Sequence, residues 1–217
     1  MDYDHCLIIG ATQSGKSYLC NWLIEEFLKE MYDEILLISG SIDSVNGDIY
    51  TNIPSKNKTK SLNNKTLDFI KNFVLKYPEK KILIILDDLN KMLSKTGTKK
   101  EIDLAKECES NIIYLFSEGR HNNLYTIALV QYYKQLKPII RSNSRYQIIT
   151  FGNKTLCELL IENVSNCFDS VNELTEFIKK YNKVYKKIGN KEYYTSLLFD
   201  CYKKSRDKNE CVKKLKP

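Results

Sequence analysis

Short, continuous apolar runs recur along the chain, and each predicts a buried β-strand. They lie at residues 5–9, 34–39, 81–86, 125–130 and 146–151. Apolar residues spaced three and four positions apart predict amphipathic helices, and these lie at residues 17–31, 66–77, 101–118, 154–163 and 171–181. Because strands alternate with helices, the pattern predicts an α/β fold, a mainly parallel sheet with helices on both faces.

The remaining segments predict loops and one late strand. Residues 40–65 are polar and rich in Asn, Lys and Ser, which is typical of a long loop, and residues 91–100 form a basic stretch around Gly97. Residues 192–199 have the character of a strand. The chain has no internal repeat and no clear linker. We therefore expect a core of residues 1–151 and an extension of residues 152–217, with helices, a strand and a basic tail, packed on the same domain.

Length and composition agree with one such domain. The chain has 217 residues, of which 42% are hydrophobic and 28% charged, and this suffices for a sizeable core. No stretch approaches the roughly 20 consecutive apolar residues that a membrane-spanning helix needs. The acidic start of the chain is unlike a signal peptide. We therefore expect a protein of a cytosol-like compartment, with no direct membrane insertion.

The seven cysteines do not predict a disulfide framework. Their number is odd, no C-x-x-C pair occurs, and a chain of this length does not depend on cross-links. Reduced thiols, mostly buried as small apolar groups, are the prediction. A zinc site is not expected, because His5 and His121 are the only histidines.

Positive charge is concentrated near the end of the chain. Residues 179–217 hold 13 Lys and Arg against 4 Asp and Glu, a net charge of +9, whereas the first 178 residues hold 21 against 23, a net charge of −2. Such a segment either contacts nucleic acid or another polyanion, or is a solvated lysine-rich tail. A second basic stretch, with Lys91, Lys95, Lys99 and Lys100, offers the same two interpretations.

Residues 10–17, GATQSGKS, match the phosphate-binding pattern G-x-x-x-x-G-K-[ST]. In a P-loop, backbone N–H groups and a helix N-terminus surround the phosphates, while the lysine reaches the β- and γ-phosphates and the Ser hydroxyl binds Mg²⁺. The preceding apolar strand and following helix favour this over a chance glycine turn. The predicted nucleotide-binding residues are Gly10, Ala11, Thr12, Gln13, Ser14, Gly15, Lys16, Ser17 and Tyr18.

Two carboxylates follow the most apolar strand. Asp87 is predicted to hold Mg²⁺, together with Ser17, and Asp88 to polarise the attacking water. The alternative is an acidic helix N-cap after a strand. The P-loop earlier in the chain favours the catalytic interpretation, and together the motifs predict an ATP- and Mg²⁺-dependent hydrolase.

Three further polar residues are candidates for catalysis. Gln131 follows a predicted strand, where a polar side chain can approach the γ-phosphate. Arg120 and Arg141 lie on either side of it in the sequence, and an arginine supplied by a neighbouring subunit can stabilise charge on the transferred phosphoryl group. Taken alone, each of the three is also an ordinary surface residue.

Together these residues resemble a known family. GRHN at residues 119–122, Gln131 after its strand, and PIIRSN at residues 138–143 are similar to a pattern of the FtsK–HerA superfamily of P-loop ATPases. The similarity is to the genome-packaging ATPases of nucleocytoplasmic large DNA viruses, the poxvirus type included, and of virophages. It runs from residue 5 to about residue 151, and the rest of the chain resembles the family loosely.

The resemblance implies a RecA-like core with strand order 5-1-4-3-2 and an additional strand. It implies a homo-oligomeric ring, a hexamer or pentamer, that moves double-stranded DNA into a capsid. Asp88 stands where many relatives have Glu, Gln131 matches the sensor, Arg120 matches the arginine offered in trans, and Arg141 is a second candidate.

The resemblance also implies partners and a location. The chain starts almost at its P-loop strand, so we expect a capsid or inner-membrane viral protein to supply docking. The host cytoplasm, in a viral factory, or the virion is the expected location.

Other P-loop classes remain as alternatives. A nucleoside or nucleotide kinase has a similar length, but its lid carries arginines and residues 152–217 contain only Arg206. A GTPase needs N-K-x-D, and residues 90–93 read NKML. A scaffold protein with a relic P-loop would not need Lys16, Ser17 and the two aspartates intact. The kinase is the main alternative.

Overall fold

A computed structural model describes residues 3–41, 49–94, 96–150, 154–165, 167–188, 191–203 and 205–217. Its centre is an eight-stranded sheet formed by β1 (Cys6–Ile9), β2 (Glu34–Ser39), β3 (Lys58–Thr59), β4 (Ile82–Asp87), β5 (Leu124–Val130), β6 (Tyr146–Ile149), β9 (Ser196–Asp200) and β10 (Val212–Leu215). β7 (Val184–Ile188) and β8 (Lys191–Tyr194) form a separate hairpin.

The sheet order is β10-β9-β6-β1-β5-β4-β2-β3. The six strands from β6 to β3 are parallel, and β9 and β10 run antiparallel at one edge. In chain order the central five strands read 5-1-4-3-2, so the expected RecA-like topology is confirmed. The carboxyl ends of β1, β4, β5 and β6 lie together at one end of the sheet, where ligands of open α/β sheets bind.

Helices cover both faces of the sheet. They are α1 (Lys16–Leu23), α2 (Asn64–Lys76), α3 (Leu89–Met92), α4 (Lys99–Glu118), α5 (Pro138–Ser142), α6 (Lys154–Val164), α7 (Val171–Tyr181) and α8 (Lys208–Cys211). A π-helical turn, Ile24–Leu28, continues α1. None of the described helices has the length and apolar composition needed to cross a membrane.

Side chains of each central strand enter two separate hydrophobic clusters. In β1, Leu7 and Ile9 pack into the cluster that contains α4, α6 and α7, whereas Cys6 and Ile8 pack into the one that contains α1. Neighbouring residues of a strand point to opposite faces. A strand buried on both faces therefore needs a continuous apolar run, which is the pattern of the sequence.

Local hydrogen bonds set helix boundaries that apolar spacing leaves open. The Asn63 side chain accepts from Thr66 N–H and starts α2 two residues before the predicted position. Thr98 and Glu101 form a reciprocal capping box that starts α4 at Lys99. The predicted basic loop 91–100 thus ends inside a helix and begins inside α3, while Lys95 lies outside the described residues.

The polar segment and the extension contain more structure than predicted. A 3₁₀ turn (Ser55–Asn57) and β3 occur within segment 40–65, of which residues 42–48 lie outside the described part. The single strand predicted at 192–199 is two strands in different sheets, because Thr195 separates β8 from β9. β7 and β10 were not predicted, and β6 ends at Ile149.

One disulfide corrects the expectation of seven reduced thiols. Cys167 after α6 and Cys211 at the end of α8 are bonded, although 44 positions separate them in sequence. Cys6, Cys20, Cys108, Cys157 and Cys201 are free. The pairing depends on how α6 and α8 approach each other, which cysteine spacing does not reveal.

Candidate nucleotide-binding site

The predicted P-loop connects the carboxyl end of β1 to the first turn of α1. Gly15 has φ of +83° and Gln13 of +61°, a left-handed conformation that glycine adopts without strain. Gly10 is needed for another reason, since a Cβ there would lie 1.9 Å from Thr150 Oγ1. The loop is therefore a tight turn packed against the residue that follows β6.

Lys16 lies across this loop. Its Nζ donates hydrogen bonds to the carbonyl oxygens of Gly10 (2.8 Å) and Ala11 (2.7 Å). Burial lowers the pKa of Lys16, while the carboxylates of Asp87 and Asp88 act in the opposite direction. An ammonium group held by two carbonyls beside the N-terminus of α1 is placed to exchange them for phosphate oxygens.

Ser17 and Asp87 meet although 70 positions separate them. Ser17 Oγ donates to Asp87 Oδ2 over 2.9 Å, and the backbone N–H of Asp88 donates to Asp87 Oδ1 over 2.7 Å. A hydroxyl and a carboxylate oxygen side by side are ligands that Mg²⁺ accepts. The side chains of Ser17 and Asp87 thus fit the predicted metal site.

Tyr50 is part of this site, and sequence reasoning missed it. Its hydroxyl donates to Asp87 Oδ2 over 2.9 Å, and its side chain is buried. Burial, reinforced by neighbouring Cys20 and Asp87, raises the pKa of Tyr50 well above its usual value, so the hydroxyl remains a donor. The signal in the sequence was small: in the described part of an otherwise polar stretch, Tyr50 is one of three buried apolar residues, with Ile53 and Leu62.

Asp88 has a left-handed backbone, with φ of 57° and ψ of 44°. It occupies the N-cap position of α3, as the alternative interpretation expected, but its side chain makes no capping hydrogen bond. A non-glycine residue in this conformation is uncommon and often occurs at functional sites. The carboxylate is half-buried and directed by this turn rather than by helix capping.

Gln131 and Thr150 contact the P-loop from the strands on either side of β1. Gln131 follows β5 and its Oε1 accepts from Thr12 Oγ1 over 3.2 Å. Thr150 follows β6 and its Oγ1 lies 2.7 Å from Ser14 Oγ. Thr150 was not predicted, although a polar residue at the carboxyl end of a strand beside β1 is a recognisable signal.

Arg120 does not reach the P-loop of its own chain. It lies in the 3₁₀ turn before β5, and its Nη1 forms an ion pair with Asp4 at 3.2 Å. Burial raises the pKa of Asp4, against the lowering effects of the His5 N–H and Arg120. Arg120 precedes the amino end of β5, whereas the P-loop follows the carboxyl end of the parallel neighbour β1, so the seven residues of β5, roughly 20 Å, separate the two levels. Arg120 therefore lies near the amino ends of the parallel strands, opposite to the P-loop.

Arg141 is held by its own segment. Its Nη1 donates to the Leu136 carbonyl over 2.9 Å, and its guanidinium carbon lies 5.5 Å from the centre of the Tyr133 ring. The structure therefore brings together Lys16, Ser17 and the Asp pair with Gln131, and brings neither arginine into that group.

A cavity of about 540 Å³ adjoins the loop on the side of Gly10 and Gln131. Its wall is formed by the first P-loop residues, the segment after β5 and one face of α6. The lining includes Ala11, Thr12, Tyr132, Thr155 and Leu159. Because Tyr132 is 60% exposed, the cavity opens to the surface and can accept a group from outside the chain.

Three of the four predicted DNA-contacting lysines, Lys91, Lys99 and Lys100, lie in α3 and α4 near the carboxyl ends of the strands, and Lys95 lies outside the described residues. Lys91 in α3 donates to the Gly40 carbonyl over 2.9 Å. Lys99 and Lys100 are exposed in the first turn of α4, where the helix dipole disfavours positive charge. Their position is therefore not explained by helix stability.

No protein-family model and no curated protein sequence matches this chain. Solved structures do. B204, the DNA-packaging ATPase from Sulfolobus turreted icosahedral virus, is 17% identical with a TM-score of 0.60, covering 99% of this chain and 97% of that chain. The genome-packaging NTPase B204 of Sulfolobus turreted icosahedral virus 2 in complex with ATP-gammaS is 18% identical with a TM-score of 0.57, covering 100% and 99%.

A second kind of protein shares part of the fold. The pCW3 conjugation coupling protein TcpA, in a monomer form with ATPgS, is 18% identical with a TM-score of 0.57 over 74% of this chain and 52% of TcpA. At these identities the likeness concerns the fold. The resemblance that the motifs indicated is thus confirmed at that level, and with B204 it extends over the C-terminal residues that the motifs left loosely matched.

Proposed function

We propose that this chain is an ATPase that drives double-stranded DNA into a viral capsid. The observation that carries the proposal is the 2.9 Å contact between Ser17 and Asp87, which joins two separate motifs into one phosphate and metal site. The likeness in fold to B204, which is named as a genome-packaging NTPase, supports the choice of reaction.

ATP binding is assigned to the P-loop. Backbone N–H groups of residues 11–17 and the N-terminal pole of α1 surround the phosphates. Lys16 releases the Gly10 and Ala11 carbonyls and contacts the β- and γ-phosphates. Ser17 and Asp87 would hold Mg²⁺, which neutralises phosphate charge and orients the γ-phosphate when bound.

Hydrolysis requires a group that orients and deprotonates water. Asp88 is half-buried next to the metal-binding carboxylate and accepts the proton of the attacking water. Gln131, in contact with Thr12, orients that water from the next strand. Asp is one methylene shorter than the Glu of many relatives, and the left-handed turn at Asp88 sets the direction of its carboxylate.

The arginine that completes the site comes from a neighbouring subunit. Arg120 lies near the amino ends of the parallel strands, away from its own P-loop, so it acts only in trans. To do so, its guanidinium leaves the ion pair with Asp4 and binds phosphate of the neighbouring subunit. Arg141 is the second candidate. An arginine in trans requires at least two adjacent subunits, and we propose that they form a homo-oligomeric ring, a pentamer or hexamer, around DNA. A capsid or inner-membrane viral protein docks the ring, in the host cytoplasm or on the virion.

A nucleoside or nucleotide kinase is the second candidate function. The cavity beside Gly10 and Gln131 favours it, because a volume of about 540 Å³ admits a small acceptor near the γ-phosphate. In the motor, the same cavity would receive a side chain of the neighbouring subunit.

ATP turnover with and without long double-stranded DNA distinguishes the two functions, with nucleosides and nucleotides tested as acceptors in parallel. The motor predicts that DNA raises turnover and that phosphate is released into water. Phosphorylation of an acceptor without a DNA effect would establish the kinase. Lys16→Ala serves as the inactive control in both assays.

A further inference from the structure

Residues 177–191 hold six lysines and no acidic residue. Five of these lysines are exposed at the end of α7, between α7 and β7, and along β7: Lys179, Lys180, Lys183, Lys186 and Lys187. Lys214 of β10 joins them, because its Nζ lies 3.8 Å from the centre of the Tyr181 ring. We call these six lysines the basic surface.

Helix stability explains only part of this surface. Lys179 and Lys180 lie in the last turn of α7, where positive charge is favourable. Lys183, Lys186 and Lys187 lie beyond the helix, so the dipole does not account for them. Lysines from three elements form an extended array of point charges, which suits a polyanion more than a small anion.

The base of the β7–β8 hairpin is attached to the nucleotide site through Asn182. Asn182 Nδ2 donates to the carbonyls of Thr150 (2.9 Å) and Thr195 (2.7 Å), and Thr195 N–H donates to the Lys183 carbonyl (2.8 Å). Thr150 in turn contacts Ser14 of the P-loop. One amide therefore joins both ends of the hairpin to the residue on which the loop packs.

This connection has little freedom to absorb movement. Thr150 is 3% exposed, its backbone N–H donates to the Ile9 carbonyl over 2.9 Å, and its Oγ1 occupies the space that a Cβ of Gly10 would need. A shift of the P-loop on nucleotide binding or phosphate release must displace Thr150 or break its contact with Ser14. Displacement of Thr150 moves the carbonyl that Asn182 holds, and so acts on the hairpin.

We propose that the basic surface binds the phosphate backbone of double-stranded DNA and that Asn182 couples it to the P-loop. The proposal rests on the DNA-translocase function and adds where DNA is held and how the nucleotide state reaches it. Binding is independent of base sequence, because lysine ammonium groups read charge rather than base edges. Asn182 is a coupling residue and contacts neither ATP nor DNA.

DNA binding is measured with a labelled mixed-sequence duplex over a range of salt concentrations. In K179Q/K180Q/K183Q/K186Q/K187Q, affinity falls and the slope of log Kd against log salt decreases by about one unit for each lysine that contacts a phosphate. The matched control is K29Q/K56Q/K65Q/K76Q/K106Q, five exposed lysines elsewhere with the same change of net charge. The control retains most of the slope and affinity.

Coupling is measured with Asn182→Ala. We expect DNA affinity and ATPase activity without DNA within about twofold of wild type, and the stimulation by DNA lost. Thermal unfolding of the variant shows whether the hairpin base is still folded. If Asn182→Ala does not fold, Asn182→Ser, which keeps one donor, is expected to retain part of the stimulation.

Four results decide against the proposal. If wild type neither binds DNA nor responds to it, the translocase function itself is wrong. If wild type binds DNA and the five-lysine variant binds equally well, DNA lies elsewhere while the translocase function stands. If the five-lysine variant loses affinity for ATP and not for DNA, the hairpin contributes to nucleotide binding instead. Full DNA stimulation in folded Asn182→Ala removes the coupling.

Discussion

The hydroxyl of Tyr50 donates a hydrogen bond to Oδ2 of Asp87 over 2.9 Å. Ser17 donates to the same oxygen, so the carboxylate proposed to hold Mg²⁺ is fixed from two sides. Tyr50 comes from the connection between β2 and α2, outside all the recognised motifs. It is a positioning residue for the proposed metal ligand.

Tyr50→Phe should weaken Mg²⁺-dependent nucleotide binding about tenfold, because a hydrogen bond to a charged group contributes roughly 1.5–3 kcal/mol. Binding of a non-hydrolysable ATP analogue is titrated at several Mg²⁺ concentrations and without Mg²⁺, where no difference is expected. Tyr32→Phe, another buried tyrosine in the same cluster, is the control. An equal loss without Mg²⁺ would show that the hydroxyl supports the fold instead.

Asp88→Asn should bind ATP with near wild-type affinity and reduce turnover by two or more orders of magnitude, because the amide cannot accept a proton from water. Lys16→Ala should lose affinity as well, since it removes a charge next to the phosphates. Asp68→Asn on the exposed face of α2 controls for the loss of a carboxylate. Turnover near wild type in Asp88→Asn would remove Asp88 from the mechanism.

Arg120→Ala should bind ATP normally and hydrolyse it about 10³-fold more slowly. Because Asp4 is buried, the variant is made as Asp4→Asn/Arg120→Ala, which leaves no unpaired carboxylate. Asp4→Asn alone is the control. Mixing the double variant with Lys16→Ala should restore partial activity, since some interfaces then combine an intact P-loop with an intact arginine. Co-assembled mixtures that stay inactive contradict a finger in trans.

Replacing Lys91, Lys95, Lys99 and Lys100 by Gln should weaken DNA binding and lower its salt dependence, with little effect of base sequence. The same change should stabilise the fold slightly, by about 0.3–1 kcal/mol for each lysine removed from the first turn of α4. Thermal unfolding and DNA titration of the same sample test both effects. An unchanged salt slope would mean that these lysines do not contact DNA.

His5 should make the fold sensitive to mild acid. Burial and the nearby Arg120 lower the pKa of His5 to about 3, and its Nδ1 accepts from the Thr126 N–H over 3.0 Å. In the unfolded chain His5 takes up a proton near pH 6.5, and in the folded chain it does not. The contribution of His5 to the free energy of unfolding is therefore fully present above about pH 6.5. Below that it falls by up to about 1.4 kcal/mol per pH unit.

Thermal unfolding between pH 5 and 7.5 checks the effect. His5→Gln should flatten the acid side of the curve even if it lowers stability at neutral pH. His121→Gln, at an exposed position, should leave the slope as it is. A wild-type slope retained in His5→Gln would assign the acid sensitivity to other groups.

Apolar periodicity predicted the central strands because burial on both faces demands continuous apolar runs, and the P-loop was predicted because its function fixes residue types at fixed spacing. Tyr50 and Thr150 belong to no such pattern, since their roles arise from contacts with Asp87 and Ser14 far away in sequence. β10 was missed because two of its four residues are exposed lysines. The Cys167–Cys211 bond was not predicted either, because it too joins residues that are far apart in sequence.

The position of β9 in the sheet also determines when the protein can fold during synthesis. β9 pairs with β6, and Arg145 next to β6 forms two hydrogen bonds, each 3.0 Å long, with Asp200 at the end of β9. Until the ribosome has released residues 196–200, one side of β6 has no strand to pair with, and that edge can pair with other chains. The nascent chain therefore carries an exposed strand edge for the roughly 50 residues of translation that separate β6 from its second neighbour.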